Sequence, residues 1–245
     1  MNRIIDKINS PDNLKELSGD ELVQLCAEIR EQMIKRLSET GGHVGSNLGM
    51  IEATVALHYV FHSPIDKIVF DVSHQCYTHK LLTGRKEAYL DPAQYTSVSG
   101  FTNPVESEHD LFSIGHTSTA ISLAAGVAKA RDVKGEFYNV IAIVGDGALS
   151  GGEALEGLNN AAALGSNLII VINDNDMSIA ENHGGIYQNL KLLRETDGKA
   201  QCNLFRALGF GYYFVRNGND FNAIADAFQK VKNTDHPVVI HMCTA

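Results

Sequence analysis

Two short polar segments in the second half of the chain carry residues that could bind a metal ion and a diphosphate. Gly145–Gly152 reads Gly-Asp-Gly-Ala-Leu-Ser-Gly-Gly, and Asn173–Ser178 reads Asn-Asp-Asn-Asp-Met-Ser. Each follows an apolar run, Val140–Val144 or Leu168–Ile172, which predicts a buried β-strand. A lone Gly-Asp-Gly is more often a plain turn, but the pair at this spacing favours a metal site. The carboxyl ends of parallel strands share one edge, where open α/β sheets bind ligands.

The residue types in these segments suit a magnesium ion held together with phosphate oxygens. Mg²⁺ prefers octahedral oxygen ligands and usually takes only one or two from carboxylates. Asp146 can supply a carboxylate, Asn175 an amide oxygen and Met177 a backbone carbonyl. Gly145 and Gly147 let the backbone approach the diphosphate closely, because glycine adds no side chain, and Gly147 and Ala148 are candidate cofactor contacts. We therefore predict a magnesium-diphosphate site with Asp146, Asn175 and Met177 as metal ligands.

The helix predicted after the first segment supports an anion site, whereas two missing residues argue against a dinucleotide site. Glu153–Ala163 would present its first N–H groups and the positive end of its dipole to a phosphate. A nicotinamide fingerprint would also begin with Gly145-x-Gly147, but Ser150 stands where its last glycine belongs. An acidic residue for the ribose, expected about 20 residues further on at the end of a strand, is also missing. Nicotinamide chemistry is therefore disfavoured.

Composition sets the broad class of the protein. The 245 residues are 44% hydrophobic and 20% charged, which suits a large α/β domain, and the net charge of −9 disfavours nucleic acid as a partner. The N-terminus has no long apolar stretch, and no run approaches the roughly 20 apolar residues of a membrane span. We expect a cytoplasmic protein that does not bind membranes. The four cysteines are scattered, so disulfides and a zinc ribbon are not expected.

Periodicity predicts alternating helices and strands in one domain over residues 1–245, with a mostly parallel sheet and helices on both faces. The predicted helices are Asp20–Leu37, Leu48–Phe61, Thr119–Arg131, Glu153–Ala163, Gln201–Leu208 and Phe221–Val231. The predicted strands are Ile68–Val72, Val140–Val144, Leu168–Ile172, Tyr212–Val215 and Val238–Met242. Ser18 or Asp20 would cap the first helix. Residues 178–200 are the least regular part, and Tyr187–Lys199 is polar enough to predict a mobile segment.

Four motifs together resemble thiamine-diphosphate enzymes of the transketolase superfamily. They are Gly41–Gly49, Asp71–Lys80, Gly115–Thr119 and the pair of segments from Asp146 to Met177. Within the superfamily the resemblance is greatest to the 1-deoxy-D-xylulose-5-phosphate synthase family, whose first domain it covers from about Leu14 to Thr244. The motifs occur in the family's order, so the resemblance is specific. It implies a thiamine-diphosphate-binding fold with thiamine diphosphate and Mg²⁺ as cofactors.

The resemblance also gives roles to individual residues. It implies that His74 contacts the cofactor near its reactive carbon, that His43 lines the substrate side, and that Gly115, His116 and Thr117 cradle the diphosphate. The glycine, hydroxyl and backbone donors ahead of the predicted helix could form an anion nest, although His116 could also be an ordinary turn residue.

Other histidines of the sequence are not expected to carry chemistry. His58 and His62 are expected to be structural. Without a cysteine or carboxylate cluster at metal spacing, His74 and His79 are not expected to bind zinc.

The activity implied by the resemblance joins pyruvate and glyceraldehyde 3-phosphate, with loss of CO₂, for isoprenoid and thiamine biosynthesis. A glutamate from the family's next domain assists the cofactor, and we expect the pyrimidine-binding and C-terminal domains to be absent from this chain. The chain would therefore be inactive alone and would form a homodimer or pair with a C-terminal transketolase-like subunit or domain. A split transketolase-like subunit and a non-catalytic cofactor-binding module remain alternatives. Asn217–Asp220 departs from the family's Asp-Gly-His-Asp, and the short 178–200 region favours a paralogue.

Overall fold

A computed structural model describes residues 3–177 and 181–244, and its strands form one five-stranded sheet. The strands are β1 (Lys67–Phe70), β2 (Val140–Gly145), β3 (Ile169–Asp174), β4 (Gly211–Val215) and β5 (Val238–Cys243). Their order in the sheet is β1-β2-β3-β5-β4, and every described pairing is parallel. The predicted parallel α/β architecture is therefore confirmed.

Helices cover both faces of the sheet, as predicted. The helices are α1 (Gly19–Thr40), α2 (Val44–Leu48), α3 (Ile51–Val60), α4 (Tyr77–Lys80), α5 (Glu87–Leu90), α6 (Ala120–Lys134), α7 (Gly152–Leu164), α8 (Gly185–Glu195), α9 (Leu204–Leu208) and α10 (Phe221–Val231). Short 3-10 helices occupy Ile5–Lys7, Pro11–Glu16, Pro92–Gln94 and Asp146–Ser150, and Leu81–Arg85 forms a π-helical turn. One apolar core lies under α1, α3 and α10, and a second lies under α6 to α9. Among the described residues, no helix has the length and apolar character required to span a bilayer.

The central strands are apolar on both faces because each face meets a helical layer. In β2, Ile141 and Ile143 join the core under α1, α3 and α10, while Ala142 and Val144 join the core under α6 to α9. Successive side chains of a strand point to opposite faces, so only a continuous apolar run fits between two layers. This double burial fixes β2 and β3 side by side and places Gly145 opposite Asn173 at the carboxyl edge.

Some predicted element boundaries were wrong. The helix predicted over Leu48–Phe61 is α3 and begins only at Ile51, because Leu48 ends the separate helix α2 and the chain breaks at Gly49 and Met50. The predicted helix over Gln201–Leu208 begins only at Leu204, because the side chain of Asn203 accepts the first backbone N–H groups as its cap. β1 ends at Phe70 rather than at residue 72, because Val72 and Ser73 adopt positive φ angles of 57° and 67°.

The irregular segment predicted over residues 178–200 contains a helix that the sequence did not predict. Gly185–Glu195 forms α8, which buries Leu190 and Leu193 in the core beneath α6 to α9. Ile186 and Tyr187 pack partly buried against the same core, whereas Gln188, Lys191 and Glu195 are exposed, so the segment has the one-sided pattern of a surface helix. The predicted loop residues 178–180 lie outside the described residues.

Close approach of two turns at the carboxyl edge requires a glycine. A Cβ at Gly151, just before α7, would lie 2.0 Å from Oγ and 2.6 Å from Cβ of Ser118. Ser118 precedes α6, is buried, and donates its hydroxyl hydrogen bond to the Ala148 carbonyl at 2.8 Å. The starts of α6 and α7 are therefore locked together through Ser118 and Gly151.

We predict that Gly151→Ala lowers the free energy of unfolding by about 1–3 kcal/mol, because the new methyl group overlaps Ser118. Gly126→Ala is the control, since no atom of the described residues outside its own helix backbone lies within 4 Å of a Cβ there. It should raise stability by about 0.5–1 kcal/mol, because Gly126 lies inside α6. Urea unfolding measures both changes. Partial recovery in a Gly151→Ala and Ser118→Gly double variant would support the clash, and an unchanged Gly151→Ala protein would refute it.

Candidate active site

The carboxyl edge of the sheet collects the polar segments that follow β1, β2 and β3. Asp71 follows β1, Asp146 follows β2, and Asn175 follows β3. Asp146 is 3% exposed, whereas Asn175 and Met177 are exposed. The sheet therefore brings the two predicted segments to neighbouring strand ends, with a buried carboxylate on one and an exposed polar loop on the other.

Asp146 lies where ionisation is unfavourable. Burial, followed by the negative charge of Asp174, raises the pKa of Asp146 to about 7. Among the described residues, the side-chain amide of Asn182 donates to its Oδ2 at 2.8 Å. A cation beside this carboxylate would relieve the unfavourable charge, which is the environment expected of a metal ligand.

Asp174 has the same burial but the opposite electrostatics. One nitrogen of Arg194 donates to both Asp174 oxygens at 2.7 Å, and His241 Nε2 lies 2.7 Å from Oδ2. Burial alone would raise the pKa of Asp174, but the hydrogen bonds from His241 and Arg194 outweigh it and hold the pKa below its ordinary value. Asp174 is therefore ionised beside Asp146.

Arg194 also holds the loop that contains the predicted metal ligand Asn175. Its second terminal nitrogen lies 2.6 Å from Asp176 Oδ1, so one guanidinium on α8 bridges the residues on both sides of Asn175. Sequence reasoning missed Arg194 and His241. The alternation of Asp174 and Asp176 around Asn175 was visible, but the cation comes from a helix that the sequence did not predict.

The loop after β3 is closed on itself in this structure. Oδ1 of Asn175 accepts the backbone N–H of Met177 at 3.2 Å. Among the described residues, no group of three or more histidine, cysteine or acidic side chains could hold a metal ion. Asp146, the Asn175 amide and a backbone carbonyl fit a hard cation that takes its other ligands from phosphate and water.

The predicted diphosphate cradle differs from expectation at the start of α6. Gly115, His116 and Thr117 are exposed at the edge, as a ligand site requires. However, Asp71 accepts the backbone N–H groups of Ser118 at 2.8 Å and Ala120 at 3.0 Å. A carboxylate of the protein therefore takes two of the N–H groups that the predicted anion nest would have offered to phosphate.

The start of α7 is different. Its N-cap is Gly151, which makes no side-chain cap hydrogen bond. The four first N–H groups of a helix need partners from outside it, and they favour anions. Between α6 and α7, it is therefore α7 whose first N–H groups and dipole are left for a ligand.

His43 and His74 form a pair at the same edge. Their ring centroids lie 5.1 Å apart in an edge-to-face arrangement, and Phe101 lies 6.0 Å from His43 on another side. Burial, and then the charge of His43, lower the pKa of His74 to about 4, so its imidazole is neutral at pH 7. Nδ1 of His74 is buried and has no hydrogen-bond partner among the described residues. The structure thus brings these two predicted site residues together.

His58, His62 and His79 have structural partners. His58 and His79 are fully buried, with 2.9 Å between His58 Nε2 and His79 Nδ1. His79 Nε2 lies 2.9 Å from Asp110, which Arg85 also contacts. The backbone N–H of His62 donates to Asp66 at 2.7 Å. His79 therefore belongs to a buried polar chain behind the site and does not line it.

We predict that Asp146→Asn stabilises the metal-free protein as the pH rises. The unfolded Asp146 ionises near pH 3.9, whereas the folded residue ionises near 7, so between these values the unfolded state loses its proton first and wild-type stability falls. The asparagine variant avoids this loss, and its advantage should reach the order of 2 kcal/mol at pH 8 and vanish at pH 3.

Urea unfolding with chelator at several pH values measures this advantage. Asp226→Asn is the control, since Asp226 is exposed on α10. A pH-independent difference between wild type and Asp146→Asn, or an equal effect in the control, would contradict the environment described for Asp146.

Comparison with known proteins gives the family. The sequence model described as 1-deoxy-D-xylulose-5-phosphate synthase matches residues 5–203 and 196–244. The synthase of that name from Listeria monocytogenes serotype 4b is 45% identical over 244 residues, which cover 97% of this chain and 40% of the relative. The one from Caldanaerobacter subterraneus is 40% identical over 277 residues, covering 98% of this chain and 44% of the relative. The chain spans less than half the length of these relatives.

Solved structures support the fold. Transketolase from Campylobacter jejuni superimposes with a TM-score of 0.72 at 19% identity, over 93% of this chain and 38% of that one. Transketolase from Leishmania mexicana gives 0.67 at 20% identity, over 91% of this chain and 36% of that one. At these identities the likeness concerns the fold alone.

The relatives differ from this chain in the length of the aligned region. The Caldanaerobacter alignment is longer than this whole chain, so that relative carries additional residues, and the two segments of the family match meet at residues 196–203. The Listeria alignment is hardly longer than the part of the chain that it covers, so it needs few gaps. The family match and these relatives each cover nearly the whole chain, so the chain belongs to the 1-deoxy-D-xylulose-5-phosphate synthase family.

Proposed function

We propose that this chain binds thiamine diphosphate and Mg²⁺ at the carboxyl edge of its sheet and supplies the diphosphate half of an active site. One observation carries the proposal: Asp146 is a buried carboxylate whose ionisation is opposed by burial and by Asp174. It lies between the start of α7, whose N-cap is a glycine and which favours a phosphate, and an exposed loop of oxygen ligands. A metal bound to a diphosphate would satisfy all three features at once.

Each residue of the edge has a role in this proposal. Asp146, the Asn175 side chain and the Met177 carbonyl hold the metal ion. Gly147 and Ala148 let the backbone and the first N–H groups of α7 approach the diphosphate. On the other side, the exposed Gly115, His116 and Thr117 contact it with side-chain and backbone donors rather than with the N–H groups that Asp71 occupies.

The two histidines would act on the substrate side. Bound thiamine diphosphate supplies an ylid carbon that adds to a carbonyl and stabilises the resulting negative charge. Because the His74 imidazole is neutral and its Nδ1 has no partner among the described residues, it can donate or accept one hydrogen bond near that carbon. The exposed His43 would orient the substrate against it.

We further propose that the complete active site joins pyruvate to glyceraldehyde 3-phosphate with release of CO₂, since relatives covering nearly the whole chain carry the name of that synthase. In this proposal the aminopyrimidine ring of the cofactor is bound by a second domain or chain that supplies the activating glutamate. The same edge would be the docking surface, because enclosed sites cover most of their ligand and one edge of a sheet cannot. A homodimer or a C-terminal transketolase-like partner would meet this need.

The departure at Asn217–Asp220 does not by itself require another acceptor. Asp220 caps α10 by accepting the N–H groups of Asn222 and Ala223 at 2.9 and 3.2 Å. The side chain of Asn219 lies 3.4 Å from the Gly49 carbonyl. These contacts give the segment a structural role between β4 and α10.

We predict that Mg²⁺ and thiamine diphosphate bind this chain only together, because Asp146 and Asn175 provide too few ligands without phosphate oxygens. Titration calorimetry of wild type should show cofactor binding that disappears with chelator, and little Mg²⁺ binding without cofactor. Asp146→Ala should weaken cofactor binding about 100-fold, or about 2.7 kcal/mol, because it removes the charge aimed at the metal.

Asp226→Ala is the matched control, since it removes an exposed carboxylate elsewhere and should leave cofactor affinity unchanged. Tight Mg²⁺ binding without cofactor, or cofactor binding that ignores chelator, would contradict the proposed site. Unchanged affinity in Asp146→Ala would remove Asp146 from it.

A further inference from the structure

Neither His43 nor His74 stands on a regular element, so something else must hold their rings together. His43 follows Gly41 and Gly42, whose φ angles are 70° and 130°. His74 follows Val72 and Ser73, which also have positive φ angles. Backbone in this region is costly for residues other than glycine and persists only where surrounding contacts hold it. The relative position of the two imidazoles therefore depends on contacts to these two turns.

Asn47 makes those contacts. Its Nδ2 donates to the His43 carbonyl at 2.7 Å and to the His74 carbonyl at 2.9 Å. Its Oδ1 accepts the backbone N–H of Tyr77 at 3.0 Å. Asn47 is 1% exposed, so these three hydrogen bonds are shielded from water.

We propose that Asn47 is a positioning residue that sets the distance and angle between His43 and His74. An asparagine amide offers two donors and an acceptor on one rigid plane, and here both donors bind the two histidine carbonyls. Aspartate would place an oxygen against both carbonyls, and leucine would leave both carbonyls and the Tyr77 N–H without partners. The function of the pair, though not its geometry, rests on the proposed cofactor site.

Tyr77 packs against the turn that precedes His43. A Cβ at Gly42 would lie 3.1 Å from the Tyr77 hydroxyl and 2.8 Å from a Leu37 side-chain carbon, so the turn before His43 sits directly on these residues. Asn47 holds the backbone of Tyr77 and the carbonyl of His43 at the same time. Loss of its amide would loosen the His43 turn, the His74 turn and the start of α4 together.

The wild-type chain gives a first test that requires no substitution and no cofactor. NMR scalar couplings across hydrogen bonds should connect the Asn47 side-chain amide nitrogen to the carbonyl carbons of His43 and His74. A nuclear Overhauser contact should connect the two imidazole rings, whose centroids are 5.1 Å apart. If the inter-ring contact is present while neither coupling is detected, the proposal is overturned.

Substitutions give the second test. Asn47→Asp and Asn47→Leu should lose the inter-ring contact and shift the ring resonances of both histidines. The matched control is Asn203→Leu, which removes another buried asparagine that caps α9. It should lower thermal stability without moving the histidine signals. Folded Asn47 variants with wild-type histidine spectra would overturn the proposal, and the couplings in wild type decide the matter if neither variant folds.

Calorimetry separates this inference from the proposed function. With Mg²⁺ present, Asn47→Leu should bind thiamine diphosphate about 10- to 100-fold more weakly, as is typical when partners that orient a binding residue are removed. Asn203→Leu should bind it normally. If even the wild-type chain binds no cofactor, the proposed function fails while the NMR result on Asn47 stands. Normal binding by Asn47→Leu, with displaced rings, would show that the pair does not contribute to cofactor binding and would overturn its functional part.

Discussion

The site depends on the repulsion between two buried carboxylates at the ends of neighbouring strands. Asp146 and Asp174 share one sheet edge, and each is almost completely buried. Two adjacent buried charges of the same sign cannot both persist without compensation. Arg194 and His241 compensate Asp174, which leaves the compensation of Asp146 to something outside the described chain. Without a metal ion, retention of the Asp146 proton relieves the repulsion, and in the proposed function a bound cation does so instead.

At three strand ends along this edge a buried carboxylate needs compensation, and each carboxylate meets this need differently. Asp71 after β1 is satisfied by the N–H groups that begin α6. Asp174 at the end of β3 is satisfied by an arginine and a histidine. Asp146 after β2, between them, has an amide partner and a raised pKa. The two outer carboxylates build the edge, and in the proposed function the central one binds the metal ion.

The sequence predicted correctly those elements that bury either one face or both faces along their whole length. The continuous apolar runs of β2 and β3 and the amphipathic pattern of α10 were predicted close to their observed bounds, because local pattern and tertiary burial agree there. The polar segments that these strands carry were placed at one edge for the same reason. α8 was missed because only Leu190 and Leu193 are fully buried in it, and they stand among several polar residues.

Contacts between distant residues explain the rest of what the sequence did not predict. Arg194 and His241 meet Asp174 across 20 and 67 positions, and Asn47 meets His74 across 27. No local spacing links these residues, because the sheet order and helix packing bring them together. The cap that Asp71 places on α6 is of the same kind, and it altered the expected diphosphate cradle at His116 and Thr117.

The most direct test of the metal site is anomalous X-ray scattering from crystals grown with thiamine diphosphate and Mn²⁺ in place of Mg²⁺. We expect one anomalous peak about 2–2.5 Å from a carboxylate oxygen of Asp146, with Asn175 and the Met177 carbonyl as further ligands. The cofactor's diphosphate should complete the coordination beside the start of α7. A peak held instead by Asp176 or by Asp71, or a cofactor bound away from the carboxyl edge, would contradict a metal site at Asp146.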